Sequence, residues 1–449
     1  MVESTEEHVV VHIGLDDIDS PFNGCTTHFT YMFIKKYLLM NENIEFIDYP
    51  NLVRLNPSIP FKTRGNGAVA LRIKVRKPYK DVLIKALTNS LTDYINAYDV
   101  KSKYSPGVAI VEGNIPVELS RIYMKALTDY VHIDYLRNLL NKVNNIELPL
   151  GISRGVIGAL AAIGWPQDTD CTYELLAYRL IGNIGRERCI DWNSLREVDV
   201  KYKDYVFNNY DHVEDVPLVA PHGSDPVLLG IRGNDPEILV KYFNELNLCE
   251  AVDGWMIYRT NQGTDAHLVL RSIDDVRPYR TLCVETSVKS RPKVLRGAHV
   301  VIEIHSSPKT YAAFYADTSL TNVARDLNVD DEVIICGSVK QWSNNTNVLN
   351  VEKLYIKRKI IKEIHNPKCP KCGKRMKSLG RDKGFKCVRC GFKSKEITKD
   401  INISIISLNS LHVVKTSKMK HLSKPLSRYG RERKCSYLIP TSKWIEVYV

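Results

Sequence analysis

Residues 9–27 read VVVHIGLDDIDSPFNGCTT, and the order of residue types in this stretch sets the architecture of the first domain. A continuous β-branched and aliphatic run over 9–15 predicts a buried strand. It ends in three carboxylates, Asp16, Asp17 and Asp19, before Ser20 and Pro21 turn the chain. Helical periodicity follows over 26–40, so the unit reads strand, acidic loop, helix. Carboxylates this close repel one another and are costly at a strand end unless a cation such as Mg²⁺ sits among them. Gly24, Cys25, Thr26 and Thr27 open the helix and offer hydroxyls and free backbone N–H groups to an anion, so a metal-bound phosphate is one reading of the loop. Turn and N-cap chemistry is the other, since Asp, Ser and Thr are favoured there in any case.

Outward from this loop, strands are predicted at 68–75 and 107–111 with a helix at 82–98 between them, which closes a first domain at 1–125. Before the second strand stand Arg54, Lys62, Arg64, Gly65 and Asn66; cations and glycines so placed clamp triphosphate oxygens, or simply form a glycine-rich turn. A helix is predicted at 134–143. Gly151, Gly155 and Gly158 punctuate the start of another, without the Gly-Lys-Ser/Thr of a P-loop or a dinucleotide fingerprint. A helical signal continues over 174–181, and strands at 227–231 and 256–260 flank a helix at 236–246, giving an α+β domain at 126–275. Two polar loops, one holding Asp225 and one holding Asn261 and Thr264, carry acceptors for an amine or a base, although loop chemistry alone accounts for them equally.

Residues 290–360 change character, with strands at 299–304, 310–316, 332–339 and 348–356 and a short helix at 320–327. This pattern suggests a Greek-key barrel of the OB type, with an immunoglobulin-like or other small β domain as the alternative. Cys369 and Cys372 are followed fourteen residues later by Cys387 and Cys390, a spacing that brings four thiolates into one Zn²⁺ tetrahedron and predicts a zinc ribbon at 365–396. Four cysteines close the coordination sphere, so the metal is structural. Residues 397–449 form a basic C-terminal tail.

The chain's 449 residues suggest about three or four units at roughly 150 residues each, and 44% hydrophobic with 25% charged residues is ordinary globular usage. No apolar run reaches the roughly 18 residues of a membrane span, and the acidic, polar start does not read as a secretory signal, so a cytoplasmic protein without membrane partners is expected. Eleven cysteines are too sparse for a disulfide scaffold, and metal binding explains them better than oxidation. The net charge of +12 is uneven: residues 351–449 hold 26 Lys or Arg against 7 Asp or Glu, a net of +19 that leaves −7 on the rest. A basic end on an acidic body points to a polyanion-binding appendage, or to a solvated tail.

The stretches Gly14-Leu15-Asp16-Asp17-Ile18-Asp19-Ser20, Gly24-Cys25-Thr26-Thr27, Tyr49 to Pro57, and Lys62-Thr63-Arg64-Gly65-Asn66-Gly67 together resemble the archaeal tRNA-isoleucine 2-agmatinylcytidine synthetases. So do Arg154-Gly155-Val156-Ile157-Gly158-Ala159, His222-Gly223-Ser224-Asp225-Pro226-Val227, Gly230-Ile231-Arg232-Gly233, Thr260 to Asp265, the ribbon, and the segment His421 to Gly430. The match runs through nearly the whole chain in order. The resemblance implies an atypical kinase-like α/β domain named for its Thr-Cys pair, a ferredoxin-like domain, an OB fold and a zinc ribbon. It implies a ligase that consumes ATP, yielding AMP and pyrophosphate, to join agmatine to carbon 2 of the wobble cytidine in a CAU anticodon, so that AUA is read.

The implied partners are that isoleucine tRNA and agmatine, not DNA. On this resemblance Asp16, Asp17 and Asp19 hold Mg²⁺, Lys62 and Arg64 neutralise phosphate charge, and Thr26 becomes phosphorylated by the enzyme itself. Gly24, Cys25, Thr27, Arg54, Gly65 and Asn66 are then nucleotide-binding. Asp225, which would meet the guanidinium of agmatine, is substrate-binding with Arg154, Gly155, Asn261 and Thr264. The family's usual Asp-Asp-Thr-Asp has Ile18 in its third place here, so any hydroxyl contribution from that position is lost. A haloacid-dehalogenase-like phosphatase and a non-catalytic RNA-binding protein are the rival readings; neither accounts for all of these motifs.

Overall fold

The computed structural model describes residues 7–20, 23–62, 65–98, 100, 105–221, 223–343, 345–441 and 443–448. Its chain forms two compact units, the first made of residues up to 269, 277–282 and from 413 on, the second of 270–276 and 283–412.

The first unit is built round a ten-stranded mixed sheet. Along the chain come β1 (His8–Asp16), α1 (Thr26–Phe33), β2 (Asn51–Arg54), β3 (Gly67–Arg76), α2 (Lys80–Ala97), β4 (Gly107–Glu112), α3 (Val117–Thr128) and α4 (Gly155–Ile163). There follow β5 (Thr172–Arg179), β6 (Val227–Gly233), α5 (Pro236–Asn244) and β7 (Val252–Thr260). The sheet order is β6-β5-β7-β2-β3-β1-β4, in which β7 and β2 run parallel.

Large and small residues alternate across this sheet, and that alternation sets how closely each helical layer approaches. Val11, Ile13 and Leu15 of β1 and Val69, Leu71 and Ile73 of β3 pack with Phe29, Phe33, Leu83 and Leu87 of α1 and α2. The opposite face shows Ala68, Ala70 and Ala109, which pack with Val156, Ala159 and Leu160 of α4 and with Leu119 of α3. Gly14 lies on the α4 side as well: a Cβ there would meet the carbonyl oxygen of Ala159 at 2.2 Å. Small residues therefore let α4 lie almost on the sheet, with its first turn beside the carboxyl end of β1.

Several expectations change at this level. Residues 174–181 do not continue a helix: Thr172–Arg179 is a strand with all eight residues buried. A strand between two others, covered on both faces, loses its alternation, and periodicity cannot tell such a run from a buried helix. The boundary at 125 does not separate two bodies, because α4 packs on β1, β3 and β4 while one hydrophobic cluster runs from Val11 to Trp255. The helix expected at 26–40 is regular only to Phe33 and continues as a π-helical stretch, Ile34–Leu38.

The C-terminal tail is not an appendage either. Strand Asp400–Val413 pairs within the second unit, and from residue 413 the chain folds back into the first. There Lys434–Cys435 pairs with Thr169–Asp170, Ile445–Val447 pairs with β7, and Leu422 and Trp444 are buried in the two clusters. Cys171 and Cys435 form a disulfide within this unit, and Cys283 and Cys336 form one in the second, so oxidation accounts for four of the eleven cysteines.

The second unit contains Thr281–Ser287, Val300–Ser306, Lys309–Phe314, a short helix Thr321–Arg325, Glu332–Ser343 and Thr346–His365. In its eight-stranded sheet Thr281–Ser287 lies beside Glu332–Ser343, followed by Thr346–His365, Lys309–Phe314 and Val300–Ser306. Lys309–Phe314 and Thr346–His365 are parallel. Among the described residues, no helix is long and apolar enough to cross a membrane.

Candidate active site

The close approach of α4 to β1 places the acidic turn. A Cβ on Gly107 would fall 1.9 Å from the carbonyl carbon of Gly155, so two glycines let the start of α4 touch β4. The Asp16 carboxylate then lies beside the first turn of the helix, where free N–H groups favour negative charge. Asp17 adopts φ 59°, donates its N–H to Asp16 Oδ1 at 2.8 Å, and accepts the Ser105 N–H on Oδ2 at 2.9 Å. Burial, with Asp17 and Asp19 alongside, raises the pKa of Asp16 well above the usual carboxylate range; burial also raises that of Asp17. Asp16, Asp17, Lys62, Asn66, Arg154 and Gly155 line a small cavity of about 80 Å³, where the Arg154 guanidinium stacks 4.2 Å from the Phe61 ring.

A second and larger cavity, about 550 Å³, lies on the other side of the turn. Asp19, Cys25, Thr26 and Thr27 form one wall, Leu218 to Pro221 with Asp225 another, and Thr416 to His421 a third. The buried Thr26 hydroxyl accepts the Ile18 N–H at 3.2 Å, while the Ile18 side chain is wholly buried in the core. Cys25 Sγ lies 3.3 Å from Thr27 Oγ1 and 3.8 Å from Asp225 Oδ1. That same Asp225 oxygen accepts the Val227 N–H at 2.8 Å.

The floor of this cavity is a charged network centred on Glu174, which is buried on β5. Arg232 Nε donates to its Oε1 at 3.1 Å, Arg54 Nη2 to its Oε2 at 3.4 Å, and the Gln262 amide to Oε2 as well. Gln262 Oε1 faces His421 Nδ1 at 3.0 Å. The cations of Arg54 foremost, then burial, Arg232 and Lys62 hold the His421 pKa well below its ordinary value. Arg54 Nε is buried without a hydrogen-bond partner among the described residues, a donor left for a ligand. The result is one cavity with a cationic floor and carboxylates on facing walls, fitted to ligands of both signs.

The predicted residues thus divide. Asp16, Asp17, Lys62, Asn66, Arg154 and Gly155 line the small cavity; Asp19, Cys25, Thr26, Thr27, Arg54, Gly65 and Asp225 line the large one. The three carboxylates do not converge on one point, so Mg²⁺ held jointly by all three is not supported. The Asp16 and Asp17 pair suits a divalent cation shared with phosphate, since Mg²⁺ takes one or two carboxylates with phosphate and water.

Gly24, Asn261 and Thr264 line neither cavity, Gly24 lying instead against the Tyr94 ring. The Asn261 side chain pairs with the Arg54 backbone, accepting its N–H at 2.8 Å and donating to its carbonyl at 2.9 Å, and Thr264 donates to the Asn261 carbonyl at 2.7 Å. Their polar groups are engaged in holding Arg54. Arg64, with Thr63 and His222, lies outside the described residues. Sequence reasoning gave no role to Glu174, Arg232 or Lys420, all three of which line the large cavity. Glu174 stands on a strand whose residue pattern reads as helix, and His421 stands in a basic tail segment far along the chain from the cavity's other residues.

In the ribbon, the Sγ atoms of Cys369, Cys372, Cys387 and Cys390 lie within 4.8 Å of one another, the one such convergent group among the described residues. Gly373 and Gly391, at φ 69° and 73°, donate back to the carbonyls of Cys369 and Cys387, closing each knuckle in a conformation glycine permits. This donor set fits a tetrahedral Zn²⁺ site.

Two charged cavities on one mixed sheet, with a four-thiolate ribbon further along the chain, define a multidomain α/β protein built to hold charged ligands. Family models match three stretches: the TiaS TCKD domain over residues 12–83, the TiaS FLD domain over 153–267 and the TiaS C-terminal zinc ribbon domain over 366–404. The tRNA-isoleucine 2-agmatinylcytidine synthetase TiaS of Staphylothermus marinus is 38% identical over 439 residues, which cover 95% of each chain. A crystal structure of TiaS with an isoleucine tRNA and ATP matches with a TM-score of 0.77 at 33% identity, covering 94% of this chain and 97% of that one. One of TiaS with the tRNA, AMPCPP and agmatine matches at 0.74 and 30%, with the same coverage. This chain belongs to the TiaS family of tRNA-isoleucine 2-agmatinylcytidine synthetases.

Proposed function

We propose that this chain is an ATP-dependent ligase that joins agmatine to carbon 2 of the wobble cytidine in an isoleucine tRNA with a CAU anticodon. The observation that carries the reading is the 550 Å³ cavity, whose Asp225 and Asp19 carboxylates face a floor of Arg54 and Arg232. Such a cavity holds a cationic amine and a phosphorylated base together. Carbon 2 of cytosine is a poor electrophile, and ATP, cleaved to AMP and pyrophosphate, makes its oxygen a leaving group. The amine of agmatine then bonds to carbon 2 and loses a proton, the bond from carbon 2 to the activated oxygen breaks, and the oxygen departs on the phosphoryl or adenylyl group it received from ATP. Asp225 holds the guanidinium, and the apolar wall from Leu218 to Ala220 covers the methylene chain. Asp16 and Asp17 hold Mg²⁺, Lys62, Arg64 and Arg54 neutralise phosphate charge, and Thr26 accepts a phosphoryl group.

Three features of the second unit support the finer domain reading. The strand order of the second unit, its parallel pair and its helix between Lys309–Phe314 and Glu332–Ser343 support an OB-type barrel. The kinase-like and ferredoxin-like parts are then halves of one sheet. The four ribbon cysteines hold Zn²⁺, and the protein works in the cytoplasm beside its tRNA. The decisive experiment is mass spectrometry of transcript tRNA after incubation with ATP and agmatine. The expected product is one cytidine heavier by agmatine less water; an unmodified anticodon under conditions where the tRNA binds would refute the reading.

A further inference from the structure

Between β5 and the helix Trp192–Lys201, Arg188 turns its guanidinium toward backbone carbonyls of the cavity's second wall. Nε donates to the Val227 carbonyl at 3.1 Å, Nη1 to that of Pro221 at 2.9 Å, and Nη2 to those of Gly223 at 2.9 Å and Asp225 at 3.2 Å. All four acceptors belong to residues that line the large cavity. Four carbonyl dipoles turned toward one point repel unless a cation sits there, and the planar fork of arginine supplies five donors from one rigid group.

Arg188 is itself held from behind. Buried Arg179 donates to the carbonyls of Arg186 at 2.8 Å and Glu187 at 3.0 Å, and pairs with Glu250 at 2.7 and 2.8 Å. Glu250 also accepts the Cys189 N–H at 3.2 Å. The residues on either side of Arg188 are thus pinned to the end of β5, and the guanidinium carries that rigidity to the cavity wall. The wall's own ties are the Asp225 N–H to the Gly223 carbonyl and the Val227 N–H to Asp225 Oδ1, both 2.8 Å, with the Arg179 N–H to the Pro226 carbonyl.

We infer that Arg188 is a positioning residue for agmatine: it gathers the carbonyls around Asp225 so that the Asp225 carboxylate is held against Cys25 at the rim of the cavity. The inference rests on the reading of Asp225 as the guanidinium partner. Removing the clamp leaves the carboxylate in place chemically but lets it wander, so binding of the cation weakens before chemistry does.

Steady-state kinetics of Arg188→Ala, Arg188→Lys, Asp225→Asn and the Arg188→Ala/Asp225→Asn double variant test this on the full chain with tRNA transcript. Arg188→Ala is expected to raise the agmatine KM by roughly tenfold or more, with kcat and the ATP KM within about twofold. Arg188→Lys, which keeps the charge without the fork, falls between wild type and Ala and supplies the measurement should Ala fail to fold. The double variant is expected to bind agmatine no worse than Asp225→Asn, since the clamp acts through that carboxylate.

An unchanged agmatine KM in Arg188→Ala beside a raised one in Asp225→Asn overturns the inference, as does strict additivity in the double variant. If Asp225→Asn itself leaves the agmatine KM unchanged, the Asp225 reading is what has failed. The clamp is then judged by hydrogen exchange of the amides at 223–227, which must accelerate in Arg188→Ala.

Discussion

The carboxylate of Asp16 occupies the volume that a side chain on Gly158 would need: a Cβ at position 158 would lie 1.7 Å from Asp16 Oδ2. Asp16 Oδ1 also accepts the Asp17 N–H at 2.8 Å, a bond that a rotation of the carboxylate away from position 158 would break. Gly158→Ala is therefore expected to displace Asp16 from the helix start, cost about 1–3 kcal/mol of stability by overpacking, and reduce ATP consumption by about a hundredfold. Calorimetry and an ATP turnover assay on the same preparation check this. A variant that turns over ATP at the wild-type rate would show that Asp16 takes no part.

Thr26 is the proposed phosphate acceptor, and its hydroxyl, though accepting the Ile18 N–H, keeps its own proton for transfer. Thr26→Ala is expected to cost about 1 kcal/mol, to abolish γ-phosphate labelling of the protein and to lose most agmatine transfer, while Thr26→Ser retains part of each. Thr27 lines the same cavity, so Thr27→Ala is expected to impair transfer less, not to be silent. Peptide mapping that finds the label elsewhere would falsify the assignment.

Two buried histidines make folding acid-sensitive. Burial foremost, with Arg72 beside it, lowers His12 to about 3, and burial lowers His28 to about 4. Their folded values lie below the unfolded 6.5, so the stability they contribute is complete above pH 6.5 and is lost as pH falls toward the folded values. At pH 5 the loss is about 2 kcal/mol for each. His12→Gln, which keeps a donor for the Gly113 carbonyl, should flatten the urea midpoint between pH 7 and 5. Midpoints that move in parallel in the two proteins rule His12 out as a source.

Loss of one thiolate opens the ribbon's tetrahedron. Cys387→Ser is expected to release zinc and unfold the ribbon while the sheet of the first unit, which shares no core cluster with it, stays folded. Zinc content by atomic absorption and circular dichroism distinguish the outcomes; stoichiometric zinc in the variant means the four-cysteine assignment is wrong.

Residues 367–398 carry 11 Lys or Arg against 2 Asp or Glu, and replacing them by a short Gly-Ser turn spares the folded-back C-terminal segment. The excision is expected to weaken tRNA binding and to flatten the log-log salt dependence by about 0.7 to 0.9 for each lost phosphate contact. An unchanged slope places the RNA surface elsewhere.

Local patterns were legible and long-range convergence was not. The strand at 9–15, the acidic turn and the ribbon could be read from residue types within about two dozen positions, because apolar runs, turn chemistry and thiolate spacing are local properties. Glu174 could not, since a strand covered on both faces has no period to read. Nor could Asn261, whose side chain suits a substrate and turns instead to the backbone of Arg54, 207 residues away. His421 shows the same limit: a basic segment reads as an RNA contact until the fold carries it beside Gln262 and Arg54.

The third wall of the large cavity comes from Thr416 to His421, whereas the acidic turn opposite comes from the first twenty residues. During synthesis, then, the large cavity remains an open groove until residue 421 has left the ribosome. A chain that stops before residue 413 has no His421 to meet Gln262, and it also lacks the Ile445–Val447 strand and the Leu422 and Trp444 side chains that complete the sheet and its cores. The topology thereby makes closure of the cavity wait on a segment nearly four hundred residues along the chain from the acidic loop it encloses.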